Sequence, residues 1–238
     1  MPHTLFISDL HLAAERPQIN TQFFDFIENI APAAEALYIL GDLFEYWAGD
    51  DDLNDPLNAA VAQALSTLAC KNVLMYFMQG NRDLLLGEHY AARCGMQIIA
   101  DPTVIDLYGS RTLLMHGDTL CTDDIEYQKF RTYARNPATQ QRFLAQPLAA
   151  RHQQLRGMRM QSEASKSVKS MDIMDVSSAT VEQALRAHGH PRLIHGHTHR
   201  PAKHLHHVDG RNCERWVLSD WQSKAHYLRC DEQACTAI

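Results

Sequence analysis

The stretch LFISDLH, residues 5–11, places an apolar run directly before two side chains that can bind a cation. Leu5, Phe6 and Ile7 are typical of a buried β-strand, and Asp9 and His11 follow where that strand would end. Polar side chains at the carboxyl ends of buried strands form the binding sites of many α/β proteins. The stretch therefore predicts a strand that delivers ligands to a site.

Four further islands of sequence repeat this arrangement. Gly41-Asp42 follows the run 37–40, GNRD at 80–83 follows 73–78, HGD at 116–118 follows 112–115, and GHTH at 196–199 follows 193–194. Because the carboxyl ends of successive strands meet at one edge of a sheet, we expect the five islands to converge there. Residues 21–30 and 56–70 have helical spacing between the strands, and this alternation predicts a layered α/β sandwich.

Length and charge limit the possible classes of protein. The chain has 238 residues, of which 45% are hydrophobic, enough for one sizeable core, so we predict a single domain over 1–238. Lys and Arg number 22 against 28 Asp and Glu, so no overall basic field attracts nucleic acid, and we expect no nucleic-acid partner. No apolar run approaches the roughly 18 residues that a membrane span needs.

The cysteines show neither a CxxC pair nor a regular spacing, which favours reduced thiols and hence a cytoplasmic protein. They are Cys70, Cys94, Cys121, Cys213, Cys230 and Cys235. The amino terminus leads straight into the predicted strand that carries Asp9, so the sequence predicts no signal peptide.

A long helical insertion is predicted between the last two islands, over about 123–188. This segment has almost no β-branched runs and reads as successive helices. Ser162, Lys166 and Lys169 fall near one helical face, and four methionines between 158 and 174 surround them with flexible apolar surface. The insertion would form either a cap over the site or an outer helical layer that covers the sheet.

The five islands, in this order and spacing, resemble the calcineurin-like metallophosphoesterase superfamily, whose pattern runs DxH, GD, GN(H/R)(D/E), a lone His before Gly, and GHxH. The resemblance implies an αββα sandwich with a helical cap and two cations that share Asp42. It assigns one cation to Asp9, His11, Asp42 and His199, and the other to Asn81, His116 and His197, with Asp42 bridging. Carboxylate, imidazole and amide donors without thiolate favour Mn²⁺, with Fe or Zn as alternatives.

The resemblance also implies that no side chain acts as the nucleophile. Paired cations lower the pKa of a bound water and neutralise phosphoryl oxygens, so we expect no catalytic group beyond metal-bound water. The chain accordingly contains no GxSxG, P-loop or GxGxxG motif. Asp118, two residues after His116, either hydrogen-bonds a ligand histidine or lies in an exposed turn.

Arg82 stands where most members of the superfamily have histidine. Arginine is no general acid at neutral pH, but it binds phosphate bidentately, so we expect a phosphate clamp. A pyrophosphate bond suits this change because its leaving group, a phosphate monoester, needs no proton. With residues 44–47 (FEYW) and the insertion, Arg82 makes the chain resemble the UDP-2,3-diacylglucosamine pyrophosphohydrolases of lipid A biosynthesis.

This closer resemblance implies Mn²⁺-dependent hydrolysis of a lipid-linked nucleotide to UMP and 2,3-diacylglucosamine 1-phosphate (lipid X). It implies peripheral attachment to the cytoplasmic face of the bacterial inner membrane. The substrate-binding residues that it implies are Asn81, Arg82, Asp124, Ser162, Lys166, Lys169 and His197. The individual role of Lys166 and the oligomeric state are left open, and apolar residues of the insertion would either line acyl channels or pack its helices together.

Three alternatives are compatible with parts of the pattern. Another dinuclear-metal phosphodiesterase or a nucleotide pyrophosphatase would keep the metal ligands without needing an apolar cap. A protein phosphatase would be expected to keep histidine at the position of Arg82. A non-enzymatic binding module on the same fold conflicts with the complete ligand set.

Overall fold

Two β-sheets stacked face to face form the centre of the protein. The computed structural model describes residues 1–52, 55–166, 175–222 and 224–238, and for 161–166 it describes the backbone alone. The strands of this part of the chain are β1 (Thr4–Ile7), β2 (Ala36–Ile39), β3 (Leu74–Met78), β4 (Met96–Ile99), β5 (Thr103–Leu107), β6 (Ser110–Met115), β7 (Arg192–His195), β8 (Ala202–Val208), β9 (Arg211–Val217), β10 (Leu228–Cys230) and β11 (Cys235–Ala237).

The first sheet has six strands in the order β11-β10-β1-β2-β3-β4, and the second has five in the order β5-β6-β7-β9-β8. Strands β1 to β4 are parallel, and β10 pairs with β1 antiparallel. In the second sheet β6, β7 and β9 are parallel. The expectation that all five islands follow strands of one sheet is wrong, because β1, β2 and β3 lie in the first sheet and β6 and β7 in the second. The islands still meet, at one end of the sandwich.

Helices cover both outer faces of the stacked sheets. They are α1 (Pro17–Asp25), continued by a π-helical turn to Ile30, and α2 (Pro56–Ala69), α3 (Glu88–Cys94), α4 (Ile125–Ala134), α5 (Pro137–Leu144), α6 (Leu148–Lys166) and α7 (Ser178–Ala187). Proline at the first turn and the Asp55 side chain, which accepts from the N–H groups of Leu57 and Asn58, start α2 where the sequence predicts it.

Three apolar layers hold the sandwich together. Leu5 and Ile7 of β1 pack with α1, α2 and α3 on one side of the first sheet, whereas Phe6 packs between the two sheets. Val181 and Leu185 of α7 pack against the outer side of the second sheet. A strand buried on both faces has no polar alternation, which explains the continuous apolar runs before the islands. The predicted α/β sandwich is confirmed.

The helices over 125–160 differ from the rest of the protein in burial. Arg151 is the only buried side chain among these residues, and several large apolar side chains are exposed. These exposed residues are Ile125, Phe130, Tyr133, Leu144, Met158 and Met160. By contrast, α7 is packed on the second sheet and belongs to the outer helical layer. In its described residues, 123–166 and 175–188, the predicted insertion thus contains one core helix and three helices with exposed apolar surface.

One prediction about the cysteines is wrong. Cys230 and Cys235 are register partners in the β10–β11 pair, with Cα atoms 4.0 Å apart, and they form a disulfide. The strand pairing brings these two thiols together, and the linear spacing alone does not reveal it. Cys70, Cys94 and Cys213 take part in no disulfide among the described residues. None of the described helices is both long enough and apolar enough to cross a bilayer.

Candidate metal centre

Sharp backbone turns aim the predicted ligands at a common space. The φ angles of Asp9, His11, Asp42, His197 and His199 are 56°, 52°, 54°, 69° and 55°. Side chains other than glycine rarely adopt this left-handed region, and such residues concentrate at functional sites. Backbone bonds hold the first two islands together, because the N–H of Asp9 donates to the carbonyl of Gly41 at 3.1 Å and that of His11 to the carbonyl of Asp42 at 3.0 Å.

The first ligand group consists of Asp9, His11 and His199, whose ligand atoms all lie within 4.8 Å of one another. The Nε2 atoms of His11 and His199 are 3.3 Å apart, and Nε2 of His199 lies 3.4 Å from Oδ1 of Asp9. Ser8 and the backbone N–H of His197 donate to Oδ2 of Asp9 at 2.5 and 2.8 Å. These bonds leave Oδ1 of Asp9, buried and without a hydrogen-bond partner among the described residues, facing the two imidazoles.

The second group consists of Asp42, His116 and His197, again with ligand atoms within 4.8 Å of one another. Nδ1 of His116 donates to the carbonyl of Leu40 at 2.9 Å, which leaves Nε2 of His116 free to act as a ligand. That Nε2 lies 3.1 Å from Oδ1 of Asn81, so the amide joins this group.

Asp42 lies between the two groups. Its Oδ2 is 3.8 Å from Nε2 of His11, and its Oδ1 is 3.8 Å from Nε2 of His116. The structure therefore brings all seven predicted ligands together around a carboxylate that faces both groups. Nitrogen and oxygen donors, a buried Asp9 oxygen without a partner, and imidazole nitrogens that point at one another fit a pair of divalent cations.

Burial and crowding shift the protonation equilibria of the site. Burial alone would raise the pKa of Asp9, but His199 and the other histidines bring it well below its usual range. Burial lowers the pKa of His116, yet Asp42 and Asp118 together outweigh it and raise the pKa to about 9. Burial also lowers the pKa of His199, but Asp220 and Asp9 outweigh burial and raise this pKa to about 10. Cations must displace these imidazole protons, so acid weakens cation binding.

Asp83 is a structural residue that the sequence reasoning did not single out. This fully buried carboxylate accepts from the backbone N–H groups of Asp42, Leu43, Phe44 and Gly80, at 3.2, 2.7, 3.3 and 2.9 Å. It thereby ties the GNRD island to the GD island. Burial and the carboxylate of Asp42 raise the pKa of Asp83 to about 7. The D/E position of the GN(H/R)(D/E) pattern was the available signal.

Two further residues, Asp220 and His195, support the ligand groups but lie outside the five islands. Oδ2 of Asp220 lies 3.5 Å from Nδ1 of His199, on the side of the ring away from the ligand group. Buried His195 donates from Nδ1 to the carbonyl of Gly196 at 2.9 Å and accepts from Arg215 at 3.1 Å. A Cβ on Gly196 would lie 2.3 Å from Oδ2 of Asp9, so only glycine fits this turn.

Asp118 is fully buried, and the alternative of an exposed turn is wrong. Its Oδ2 accepts from the hydroxyl of Tyr127 at 3.0 Å and from Nε of Arg131 at 2.8 Å, both on α4. The ring of Tyr127 lies 5.6 Å from that of His197. Helix α4 therefore packs directly against the second ligand group.

Known proteins with similar sequences identify the family of this chain. The calcineurin-like phosphoesterase family matches residues 2–201. UDP-2,3-diacylglucosamine hydrolase of Aromatoleum aromaticum is 57% identical over 227 residues, covering 95% of this chain and 92% of that protein. The chain belongs to the UDP-2,3-diacylglucosamine hydrolase family. Proteins of the same name from Edwardsiella ictaluri and Cellvibrio japonicus are each 52% identical, with 99% of this chain covered and 91% and 97% of theirs. The resemblance seen in the motifs is confirmed.

In this hydrolase family member, a cavity of about 670 Å³ opens beside the first ligand group. Its wall includes His11, Arg82, His199 and Trp221. The side chain of Arg82 is 15% exposed, and its backbone N–H donates to Oδ1 of Asp42 at 2.8 Å. The predicted phosphate clamp thus lies at the boundary between the ligand groups and open space.

The remaining predicted substrate residues belong to the insertion. Asp124 is buried and caps α4, because its side chain accepts from the N–H of Tyr127 at 3.1 Å. Ser162 and Lys166 lie within α6, with side chains outside the described part, and Lys169 lies outside the described residues altogether. Substrate binding by these four residues stays a prediction.

Proposed function

We propose that this protein hydrolyses the pyrophosphate bond of UDP-2,3-diacylglucosamine and releases UMP and 2,3-diacylglucosamine 1-phosphate. The position of Asp42, between two ligand groups and hydrogen-bonded to Arg82, carries this proposal. A shared carboxylate suits two cations about 3.5–4 Å apart, and a guanidinium beside them suits a phosphate. Two relatives that are 57% and 52% identical to this chain over nearly its whole length are named UDP-2,3-diacylglucosamine hydrolase.

We propose two Mn²⁺ ions, with Fe or Zn as alternatives, held by Asp9, His11, Asp42 and His199 and by Asp42, Asn81, His116 and His197. When bound, such cations would neutralise phosphoryl charge and make a water nucleophilic at neutral pH. The protein fixes the orientation of two ligand histidines by a contact to the ring nitrogen that does not face the cation. His116 is held by the carbonyl of Leu40 and His199 by Asp220.

Arg82 supplies a permanent positive charge for a phosphate of the substrate. Guanidinium stays protonated at neutral pH, so it binds and does not transfer a proton. The departing sugar phosphate is stable as an anion and requires no acid. This chemistry favours a pyrophosphate over an alkyl phosphodiester, whose alkoxide leaving group needs protonation.

The diacyl portion of the substrate requires an apolar surface near the site. Helices α4, α5 and α6 have exposed apolar side chains, and α4 also contacts the second ligand group through Tyr127. Each buried methylene contributes about 0.8 kcal/mol, so even partial enclosure of two acyl chains offsets much of the cost of leaving a bilayer. We therefore assign acyl binding to these helices, with the protein attached peripherally to the cytoplasmic face of the inner membrane.

The purified protein, supplied with Mn²⁺, can be assayed on UDP-2,3-diacylglucosamine, on UDP-glucosamine and on a soluble aryl phosphodiester. We expect the highest kcat/KM for the diacylated substrate. A preference for UDP-glucosamine would instead identify a nucleotide pyrophosphatase, and a preference for the aryl ester would identify a general dinuclear-metal phosphodiesterase.

A further inference from the structure

Glu45, within the FEYW stretch, is a buried carboxylate to which neither the five islands nor the ligand groups assign a role. Its side chain is only 5% exposed, and it lies three residues after Asp42. The backbone places it there, since His11 and Leu12 donate to the carbonyls of Asp42 and Leu43, and Glu45 donates back to Leu12 at 3.1 Å. A buried carboxylate is costly without cationic partners, so its neighbours are informative.

The first neighbour is a predicted metal ligand. Oε2 of Glu45 lies 3.5 Å from Nδ1 of His11, while Nε2 of the same ring faces Asp42 and His199. Among the described residues, Nδ1 of His11 is buried and has no hydrogen-bond partner. A carboxylate on the far nitrogen fixes the tautomer and the orientation of a ligating imidazole and increases its basicity.

The other neighbours are three arginines from separate elements. Oε1 of Glu45 lies 3.6 Å from Arg82 and 3.4 Å from Arg159 of α6, and Oε2 lies 3.8 Å from Arg16, which precedes α1. One carboxylate thus lies beside three guanidiniums from separate parts of the chain. Among the described residues, Nε of Arg82 is buried and has no hydrogen-bond partner, so Arg82 keeps a donor for a phosphate oxygen.

We propose that Glu45 is a positioning residue with two tasks. It orients His11 as a ligand of the first group, and it holds Arg82, with Arg16 and Arg159, in place for the phosphates of a nucleotide diphosphate substrate. Because α6 contributes Arg159, Glu45 also links the helices with exposed apolar surface to the ligand groups. The inference rests on the proposed function but concerns a residue that takes no part in the ligand set.

Cation binding to the metal-free protein tests the first task without any turnover. Glu45→Gln keeps the size of the side chain and removes its charge. In a calorimetric titration with Mn²⁺ alone, we expect wild type to bind two ions and Glu45→Gln to bind one of them about 10- to 100-fold more weakly. Glu15→Gln is the matched control, because it removes an exposed carboxylate from the wall of the same cavity and should leave both affinities unchanged.

A double-mutant cycle at saturating Mn²⁺ tests the second task. If Glu45 acts through Arg82, the loss of kcat/KM caused by Glu45→Gln is smaller in an Arg82→Ala background than in the wild type. Circular dichroism and thermal unfolding of each variant show whether it is folded, and Glu45→Asp, which keeps the charge, should recover part of the cation affinity.

Three outcomes overturn the inference. The first is a folded Glu45→Gln variant whose Mn²⁺ affinity and kcat/KM equal those of the wild type. The second is a loss of Mn²⁺ affinity in Glu15→Gln as large as that in Glu45→Gln. The third is a double variant in which the losses of kcat/KM from Glu45→Gln and Arg82→Ala are fully additive. If the wild type binds two Mn²⁺ ions and Glu45→Gln binds them equally well, only the proposed role of Glu45 is contradicted. A wild-type protein that binds no Mn²⁺ or does not hydrolyse the substrate contradicts the proposed function itself.

Discussion

The backbone N–H of Arg82 donates to Oδ1 of Asp42 at 2.8 Å. The same carboxylate faces both ligand groups, so one hydrogen bond relates the position of the predicted phosphate clamp to that of the predicted cations. A Cβ on Gly80 would lie 2.1 Å from Oδ1 of Asp42, which explains why the GNRD island begins with glycine. The GD and GNRD islands thus work as one unit.

We expect Asp42→Asn and His116→Ala to reduce turnover by several orders of magnitude, because each removes a predicted ligand of the second group. Asp42→Asn keeps an oxygen that can accept from the N–H of Arg82, so its fold should survive. Stoichiometry of Mn²⁺ binding, kcat and circular dichroism provide the measurement. His207→Ala, at an exposed position of β8, is the control and should keep wild-type activity. Normal turnover of either site variant would contradict the ligand assignment.

Arg82→Ala should lower kcat/KM about 10- to 100-fold, because a hydrogen bond to a charged group contributes about 1.5–3 kcal/mol. Arg82→Lys should retain part of the activity, since it keeps the charge but loses the bidentate geometry. Steady-state kinetics at saturating Mn²⁺ measure both effects. If Arg82→His turned over the lipid substrate faster than wild type, proton transfer would replace phosphate binding as the role of this position.

Asp83→Asn should destabilise the fold by about 1–3 kcal/mol, because an amide N–H₂ would face backbone N–H groups that now donate to a carboxylate. Urea denaturation of the metal-free protein measures this loss. Asp106→Asn is the matched control, since Asp106 also accepts a backbone N–H, from Gly109 at 2.8 Å, but in an exposed turn. Equal stability of Asp83→Asn and wild type would show that these bonds do not fix the island.

The sequence predicts those parts of the fold that local patterns specify. Strands β1, β2, β3, β6 and β7 are mostly buried, above all toward their carboxyl ends, so an apolar run lies shortly before each ligand in the sequence. Helix α2 is predicted within a residue of its observed limits from the helical spacing of residues 56–70, and in the structure Pro56 and the Asp55 cap fix its start.

The features that the sequence does not predict depend on strand pairing, on burial or on contacts between separate segments. Strand β8 carries the exposed His204 and His207 and the half-buried His206, so it contains no apolar run by which the sequence could reveal it. The Cys230–Cys235 disulfide depends on the pairing of β10 with β11. Asp83, Glu45 and Asp220 act through ligands or loops from other islands, so only the folded chain shows what they touch.

Exposed apolar residues of the insertion should matter only for the lipid substrate. Phe130 and Met158 are 44% and 42% exposed, and we expect the Phe130→Asn, Met158→Asn double variant to lower kcat/KM for the diacylated substrate about tenfold, or about 1.4 kcal/mol. Turnover of a soluble aryl phosphodiester should not change. Leu205→Asn, which alters an exposed apolar residue of β8, should affect neither substrate. Equal losses on both substrates would make these two residues structural.

The most direct test is hydrolysis of UDP-2,3-diacylglucosamine by the Mn²⁺-loaded protein in ¹⁸O-labelled water, with mass spectrometry of both products. Attack at the phosphorus that carries uridine leaves one ¹⁸O atom in UMP and none in 2,3-diacylglucosamine 1-phosphate. We predict this distribution, together with loss of both products when the metal is removed by chelation. Label in the sugar phosphate would reverse the direction of attack, and an intact substrate would contradict the proposed activity.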